Sequence, residues 1–138
     1  MKAIWGSGDA PASFEGRFVS FGPLWSWPKP AQSPWPPVLL GGNGPRTLER
    51  VARFADGWMP NPMGADVFAA RIDKLQRLAA DAERPRIPVT AFGCRADVDG
   101  VARYAEIGVD RCVFWVPATS RDDALRALDA AAGTFLRA

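Results

Sequence analysis

From residue 38 onward the chain alternates short apolar runs with amphipathic stretches, and does so four times. The apolar runs fall at residues 38–41, 57–60, 87–92 and 111–116. Each is long enough for a buried strand, and each is followed by a helical stripe. Near-continuous apolar strands that alternate with amphipathic helices specify a parallel α/β sheet, because a parallel connection needs a crossover and the crossover helices cover the strands.

The helical stretches carry their own punctuation. After the first strand, Leu48, Val51, Ala52 and Ala55 share one face, while Arg46, Glu49, Arg50 and Arg53 point mostly the other way. Glu49 and Arg53 are spaced i,i+4 in the favourable order. Pro45 suits the first helical position, where its missing N–H costs nothing, and Asp56-Gly57 stops the helix. Residues 64–82 follow, with Phe68, Ile72, Leu75, Leu78 and Ala79 on one face and Asp66 as a plausible cap. Pro88 is tolerable only near the start of the third strand. Asp97 or Asp99 opens a short helix carrying Val101, Ala102, Tyr104 and Ala105, with Gly108 as its C-terminal signal. Ser120 with Asp123 resembles a capping box for a last helix expected to bury Leu125, Leu128, Ala132 and Phe135.

Between the first strand and its helix lies Gly41-Gly42-Asn43-Gly44-Pro45. Several of these positions can take positive φ. A glycine-rich loop lets backbone N–H groups approach a ligand, and the helix start adds partial positive charge, so the unit offers an anion site. Arg46 adds a potential bidentate contact to phosphate. The plainer alternative is a strand-to-helix turn that needs glycine, and a single glycine motif does not decide between them.

Composition narrows the field. The chain has 138 residues, a formal net charge of +2 and 48% hydrophobic residues, enough for one core. That charge is too small, and too little clustered, to argue for nucleic acid. No apolar stretch reaches the roughly 20 residues that span a bilayer, and the start lacks the apolar core of a signal peptide; a cytoplasmic protein is the expectation. With 0 histidines, no Ser-His-Asp or Cys-His mechanism is possible within the chain. Cys94 and Cys112 lack metal-ligand spacing, so no metal site is expected and both are read as reduced, small apolar residues. Residues 1–37 are rich in Gly, Pro and Trp. Met1 to Trp5 reads as the tail of a helix, and residues 14–19 as a short hairpin turning at Gly16. Trp25, Trp27 and Trp35 are expected to cover apolar surface, with an aromatic-proline surface for a partner as the alternative.

Strand-helix repeated four times is half of a (β/α)8 barrel, whose full length is typically about 250 residues. The runs Trp27-Pro28-Lys29-Pro30-Ala31-Gln32, Pro36-Pro37-Val38-Leu39-Leu40-Gly41-Gly42, Arg46-Thr47-Leu48 and Ala55-Asp56-Gly57-Trp58 occur in order at family-like spacing. They resemble the luciferase-like monooxygenase family, nearest in flavour to its deazaflavin-dependent members. The resemblance implies a partial TIM barrel: one partial domain over residues 1–138, with residues 1–37 as an irregular lead-in and 38–138 as the last four βα units. It implies a cofactor, FMN or a deazaflavin (coenzyme F-four-twenty), whose phosphate lies at Gly41, Gly42, Asn43 and Gly44, with Arg46 and Thr47 as weaker contacts. Trp58 either lines the ring side of the pocket or is a core tryptophan; Asp56 caps or turns the chain.

The implied activity is that of a flavin- or deazaflavin-dependent oxidoreductase or monooxygenase acting on a small-molecule substrate. Strands one to four, which carry most of the family's catalytic groups, have no counterpart, so the catalytic residues are unassigned. The alternative is an inert half-barrel or truncated product that acts only by pairing with another chain; a different phosphate-binding α/β barrel is a weaker one. An open half-barrel exposes strand edges and inner faces, here Leu39, Trp58, Val89, Phe92, Phe114 or Val116, and so invites a homo-oligomer or a complementary half-barrel chain.

Overall fold

A computed structural model describes residues 1–136. The chain divides into two compact units, Met1–Pro37 and the remainder from Val38 onward.

The first unit holds a short helix α1 (Lys2–Trp5) and an antiparallel pair, β1 (Ala12–Glu15) and β2 (Ser20–Leu24). The turn falls between Glu15 and Ser20, as Gly16 suggests. Lys29 donates through Nζ to the Ile4 carbonyl at 2.9 Å and to Ser7 Oγ at 2.8 Å. The expectation that the indoles cover apolar surface fails for Trp25 and Trp27, which are 62% and 59% exposed. Trp35 is half-buried and lies beneath the Lys2 ammonium.

The second unit runs β3 (Leu39–Gly41), α2 (Thr47–Phe54), β4 (Gly57–Met59), α3 (Ala65–Asp81), β5 (Thr90–Cys94), α4 (Val98–Glu106), β6 (Arg111–Phe114) and α5 (Arg121–Phe135). β3 pairs with β4 and β5 with β6, both in parallel. A single parallel bridge, Trp58 to Val89, joins the two pairs. The strands therefore lie in chain order. β5 begins later than residue 87 because Pro88 has no N–H to give and the Val89 N–H is taken by the Asp110 carboxylate at 2.8 Å.

The core lies between strands and helices. Leu48, Val51, Ala52 and Ala55 from the α2 segment meet Phe68, Ile72, Leu75 and Ala79 of α3, with Trp58, Val89 and Ala91 from the strands. Trp58 and Val89, expected on an exposed inner face, are fully buried on the helix side. The exposed apolar groups on and beyond the strands are Leu39, Phe92, Trp115 and Val116. The last two helices pack less deeply than their stripes suggest. Ala102 and Ala105 are exposed, and Leu125 and Leu128 are 44% and 50% exposed. α5 leans on β6 chiefly through Phe135, stacked on Phe114 at 5.2 Å.

Caps follow the sequence with two corrections. Asp97 accepts from the Gly100 N–H at 2.7 Å, and Ser120 Oγ accepts from the Asp123 N–H at 3.1 Å while donating to its carboxylate. Asp66, by contrast, lies inside α3 and does not cap it; Gly64 holds that place. Pro45 stands before α2, in a turn closed by the Thr47 N–H on the Gly44 carbonyl, so the helix starts two residues later than expected. Gly108, at φ +89°, follows Ile107, the residue at the C-cap of α4.

The N-terminal ends of the strands are tied by a device used twice. Asp56, just before β4, accepts from the Val38 N–H at 2.8 Å. Asp110, just before β6, does the same for Val89. Gly57 sits tightly beside β3: a Cβ there would stand 2.5 Å from Leu39 Cδ2 and 3.2 Å from the Pro88 carbonyl, so the leucine side chain and that carbonyl would have to shift.

Candidate functional site

The glycine loop leaves the C-terminal end of β3 and enters α2, the end at which α/β folds place their ligands. Its shape is set from beneath. Trp58 is fully buried, and its indole Nε1–H donates to the Gly42 carbonyl at 3.1 Å. In a planar trans peptide the C=O and the following N–H point in opposite directions. The Asn43 N–H is therefore aimed away from Trp58 and the core. Gly42 sits at φ +96°, a conformation that a residue with Cβ adopts only with strain.

The Gly44 carbonyl is drawn inward as well, accepting from the Thr47 N–H at 3.1 Å and from Arg71 Nη2 at 3.4 Å. Asn43 spends its side chain on structure. Its amide donates to the Asn61 carbonyl and accepts from the Asn61 N–H, both at 3.1 Å, and so fastens the loop to the segment after β4. What Asn43 has left for a ligand is its backbone N–H. Thr47 is buried, and its Oγ1 lies 3.7 Å and 3.5 Å from where a Cβ would stand at Gly42 and Gly44. Gly41 would bring a Cβ only to ordinary contact with the Met59 carbonyl. Arg46 is exposed at the N-cap of α2.

Thus Gly42, Asn43, Gly44, Arg46 and Thr47 form one loop-and-helix-start cradle. Trp58 is the core tryptophan that holds it, through a ring edge to Phe68 (centroids 5.6 Å apart) and an N–H to the loop.

The sequence reading passed over Arg71. On α3, its guanidinium lies over the Trp58 ring at 5.5 Å, and its Nε is buried without a partner. The only signal was a cation inside the buried stripe, between Phe68 and Ile72. It also passed over Arg84, which donates to the carbonyls of Val51, Ala52 and Ala55 at 2.7–3.0 Å and so closes the C-terminus of α2. Asp56 lies at the opposite end of β4 from the loop, in keeping with a turning rather than a chemical role.

The thiols lie apart from the loop. Cys94 is buried, Cys112 half-buried, and neither is in a disulfide. Burial, then the neighbouring Cys94, pushes the Cys112 thiol up to about 11. That suppresses the reactive thiolate at neutral pH.

Residues 1–127 match the luciferase-like monooxygenase family. The chain belongs to that family. An uncharacterized protein of Mycobacterium tuberculosis is 40% identical over 126 residues, which are 90% of this chain and 43% of that protein. The FMNH2-dependent dimethylsulfone monooxygenase of Pseudomonas putida is 29% identical over 75% of this chain and 28% of its own length. The chain thus spans less than half the length of these curated relatives. Among solved structures, the coenzyme F420 dependent tetrahydromethanopterin reductase of Methanopyrus kandleri superposes with a TM-score of 0.55 at 25% identity, over 71% of this chain and 29% of that one. The mixed α/β fold is accordingly similar to that of a deazaflavin-dependent member. Relatives by sequence and structure include users of reduced FMN and of a deazaflavin. No described helix is long and apolar enough to cross a membrane.

Proposed function

We propose that this chain forms the phosphate-holding quarter of a flavin or deazaflavin site, within the last four βα units of a luciferase-like barrel. The observation that carries the reading is the Trp58–Gly42 hydrogen bond, which turns the Asn43 N–H outward at the start of α2. The donors there fit a phosphate: a backbone N–H, a helix N-terminus and the Arg46 guanidinium. Gly42, Asn43, Gly44 and Arg46 would hold that group, and Thr47 and Trp58 would hold the loop. When bound, the ring of such a cofactor supplies hydride or oxygen-activation chemistry; what this chain contributes is binding and orientation. The reaction is therefore an oxidoreduction of a small molecule, and catalytic groups belong to the barrel strands beyond these four.

The exposed Leu39, Phe92, Trp115 and Val116 support the further reading that the strand faces are completed by the remaining barrel strands, in a second copy or a complementary half-barrel chain. Sedimentation of the isolated chain as a stable monomer with a cooperative melt refutes the pairing.

The test of the site is a titration with FMN and with a deazaflavin coenzyme, with and without a complementary half. Gly42→Val should weaken binding more than Arg46→Ala, because the contact is with backbone and the loop's shape is what matters. If neither cofactor binds the reassembled barrel, or Gly42→Val binds like the parent, the assignment is wrong. Binding of one cofactor alone decides between the two chemistries.

A further inference from the structure

In sequence the two cysteines lack metal-ligand spacing, but the fold brings them together. β5 and β6 run side by side in parallel, with Ala91 opposite Cys112 and Cys94 opposite Phe114. Between Phe92 and Cys94 the register slips, at Gly93, which sits at φ +75°. In a regular strand residues 91 and 94 point to opposite faces, because side chains alternate. The bulge resets that alternation. Cys94 therefore returns to the face of Ala91, and both are buried in the core. Cys112 packs half-buried against the same core.

The Cys94 thiol donates to the Ala91 carbonyl at 3.4 Å. Its sulfur accepts from the Cys112 thiol and from the Tyr104 hydroxyl. Two sulfurs in contact can share a disulfide or a cation, and the strand register separates these. Cys94 stands two residues beyond the level of Cys112 and one strand across. At roughly 3.3 Å per residue and 4.8 Å between strands, their Cα atoms are about 8 Å apart. A disulfide needs less than about 7 Å between Cα atoms and sulfurs about 2.05 Å apart. A linear ion with two metal–sulfur bonds of about 2.3 Å needs sulfurs only about 4.6 Å apart. Thiols in hydrogen-bond contact are already close to that separation.

We propose that Cys94 and Cys112 clasp one soft d10 cation of the copper(I) class, held in linear coordination between their two sulfurs. Thiolates select such ions. Zinc takes four ligands, and no group of three or more His, Cys, Asp or Glu side chains clusters among the described residues. The cation takes the place of the two thiol protons, which pass to the buffer; no electron is transferred. Burial holds the Cys112 proton on at neutral pH, so only a strongly thiophilic ion displaces it. Tyr104 also lines a groove of about 460 Å³ with Ala65, Gly100 and Ile107, which gives an ion an approach to the tyrosine that touches Cys94.

The experiment titrates the full reduced chain with silver(I), a redox-inert stand-in for copper(I), followed by native mass spectrometry and by the Cβ shifts of both cysteines. One silver ion should bind per chain, and both Cβ signals should move together. Copper(I) supplied from a chelate should move the same two signals, and zinc should leave them in place. Cys94→Ala and Cys112→Ala should each weaken silver binding by more than about 100-fold, beyond the roughly 10–100-fold of changes outside the ligand shell. Far-UV circular dichroism checks that each variant folds, and the paired shifts in the parent decide the matter should one not. Silver bound at one ion per two chains, a shift at one cysteine alone, or zinc binding as tight as silver overturns the proposal. So does a folded, oxidised chain lighter by two hydrogens, because an internal disulfide contradicts the spacing.

Discussion

Replacing Trp58 with phenylalanine separates the two tasks of that residue. The ring is fully buried and meets Phe68 edge-on at 5.6 Å, and its N–H holds the Gly42 carbonyl. Phenylalanine keeps an aromatic ring but has no donor. Leaving the Gly42 carbonyl without its partner costs about 1–3 kcal/mol. The smaller ring leaves a gap whose cost is a fraction of the about 3–5 kcal/mol of full truncation, so about 1–2 kcal/mol. The sum is about 2–5 kcal/mol, a large share of a small domain's stability. Urea denaturation measures the total.

Phe68→Leu is the control, because it trims the same aromatic contact and leaves the indole N–H in place. Both variants should destabilise. Only Trp58→Phe should also alter the phosphate-induced shift of the Asn43 amide, since only there is the peptide between Gly42 and Asn43 released. A Trp58→Phe protein within about 0.5 kcal/mol of the parent, with an unchanged Asn43 response, would refute the claim that the indole sets the loop.

Other outcomes can be checked independently. Arg84→Met removes charged donors from the Val51, Ala52 and Ala55 carbonyls and should cost about 2–3 kcal/mol by urea denaturation, while leaving phosphate binding intact. The Asp110 carboxyl is held below its ordinary value: burial alone would raise it, but hydrogen bonds from Arg86 and the Val89 N–H, together with the Arg86 charge, outweigh burial. Its contribution to stability is therefore present above the unfolded value of 3.8 and is lost as pH falls through the lower folded value. Asp110→Asn should flatten that acid limb in a pH series of urea midpoints. Cys112, with its thiol pushed up to about 11, should alkylate far more slowly with iodoacetamide at pH 8 than a free cysteine, as mass spectrometry would detect.

Much of the second unit was legible because the responsible forces are local. The α2 and α3 stripes name the residues that are buried, since helical periodicity and burial are two views of one face. Asp97 and Ser120 were readable as caps because their partners lie three residues away. Arg84, Asp110 and Arg71 were not. Their hydrogen-bond partners lie 21 to 33 residues away in the chain, and nothing in a linear pattern joins a guanidinium to carbonyls on another helix. Trp58 was half legible. Its apolar neighbourhood marks a core residue, but its bond to Gly42 spans 16 residues and depends on the parallel register that sets Gly41 beside Met59. The α5 stripe misled for the opposite reason: Leu125 and Leu128 have helical spacing, but no described element covers them.

The words that carry the family resemblance now have physical meanings, and these meanings bear on how far resemblance reaches. In Ala55-Asp56-Gly57-Trp58, Ala55 is buried and gives its carbonyl to Arg84. Asp56 ties the start of β4 to Val38. Gly57 makes room for Leu39, and Trp58 reaches across to Gly42. Each of these contacts builds scaffold. Yet together they fix the neighbouring strand, and through Trp58 the direction of one peptide in the loop. A sequence can keep such a word for the sake of folding and cofactor placement whatever becomes of its catalytic side chains. The family words and the shape of the glycine loop therefore rest on the same few contacts, whereas turnover in α/β barrels depends on groups brought to the C-terminal ends of several strands. This is why Gly42 and Trp58, rather than any acid or base in the chain, are the residues on which the functional reading stands or falls.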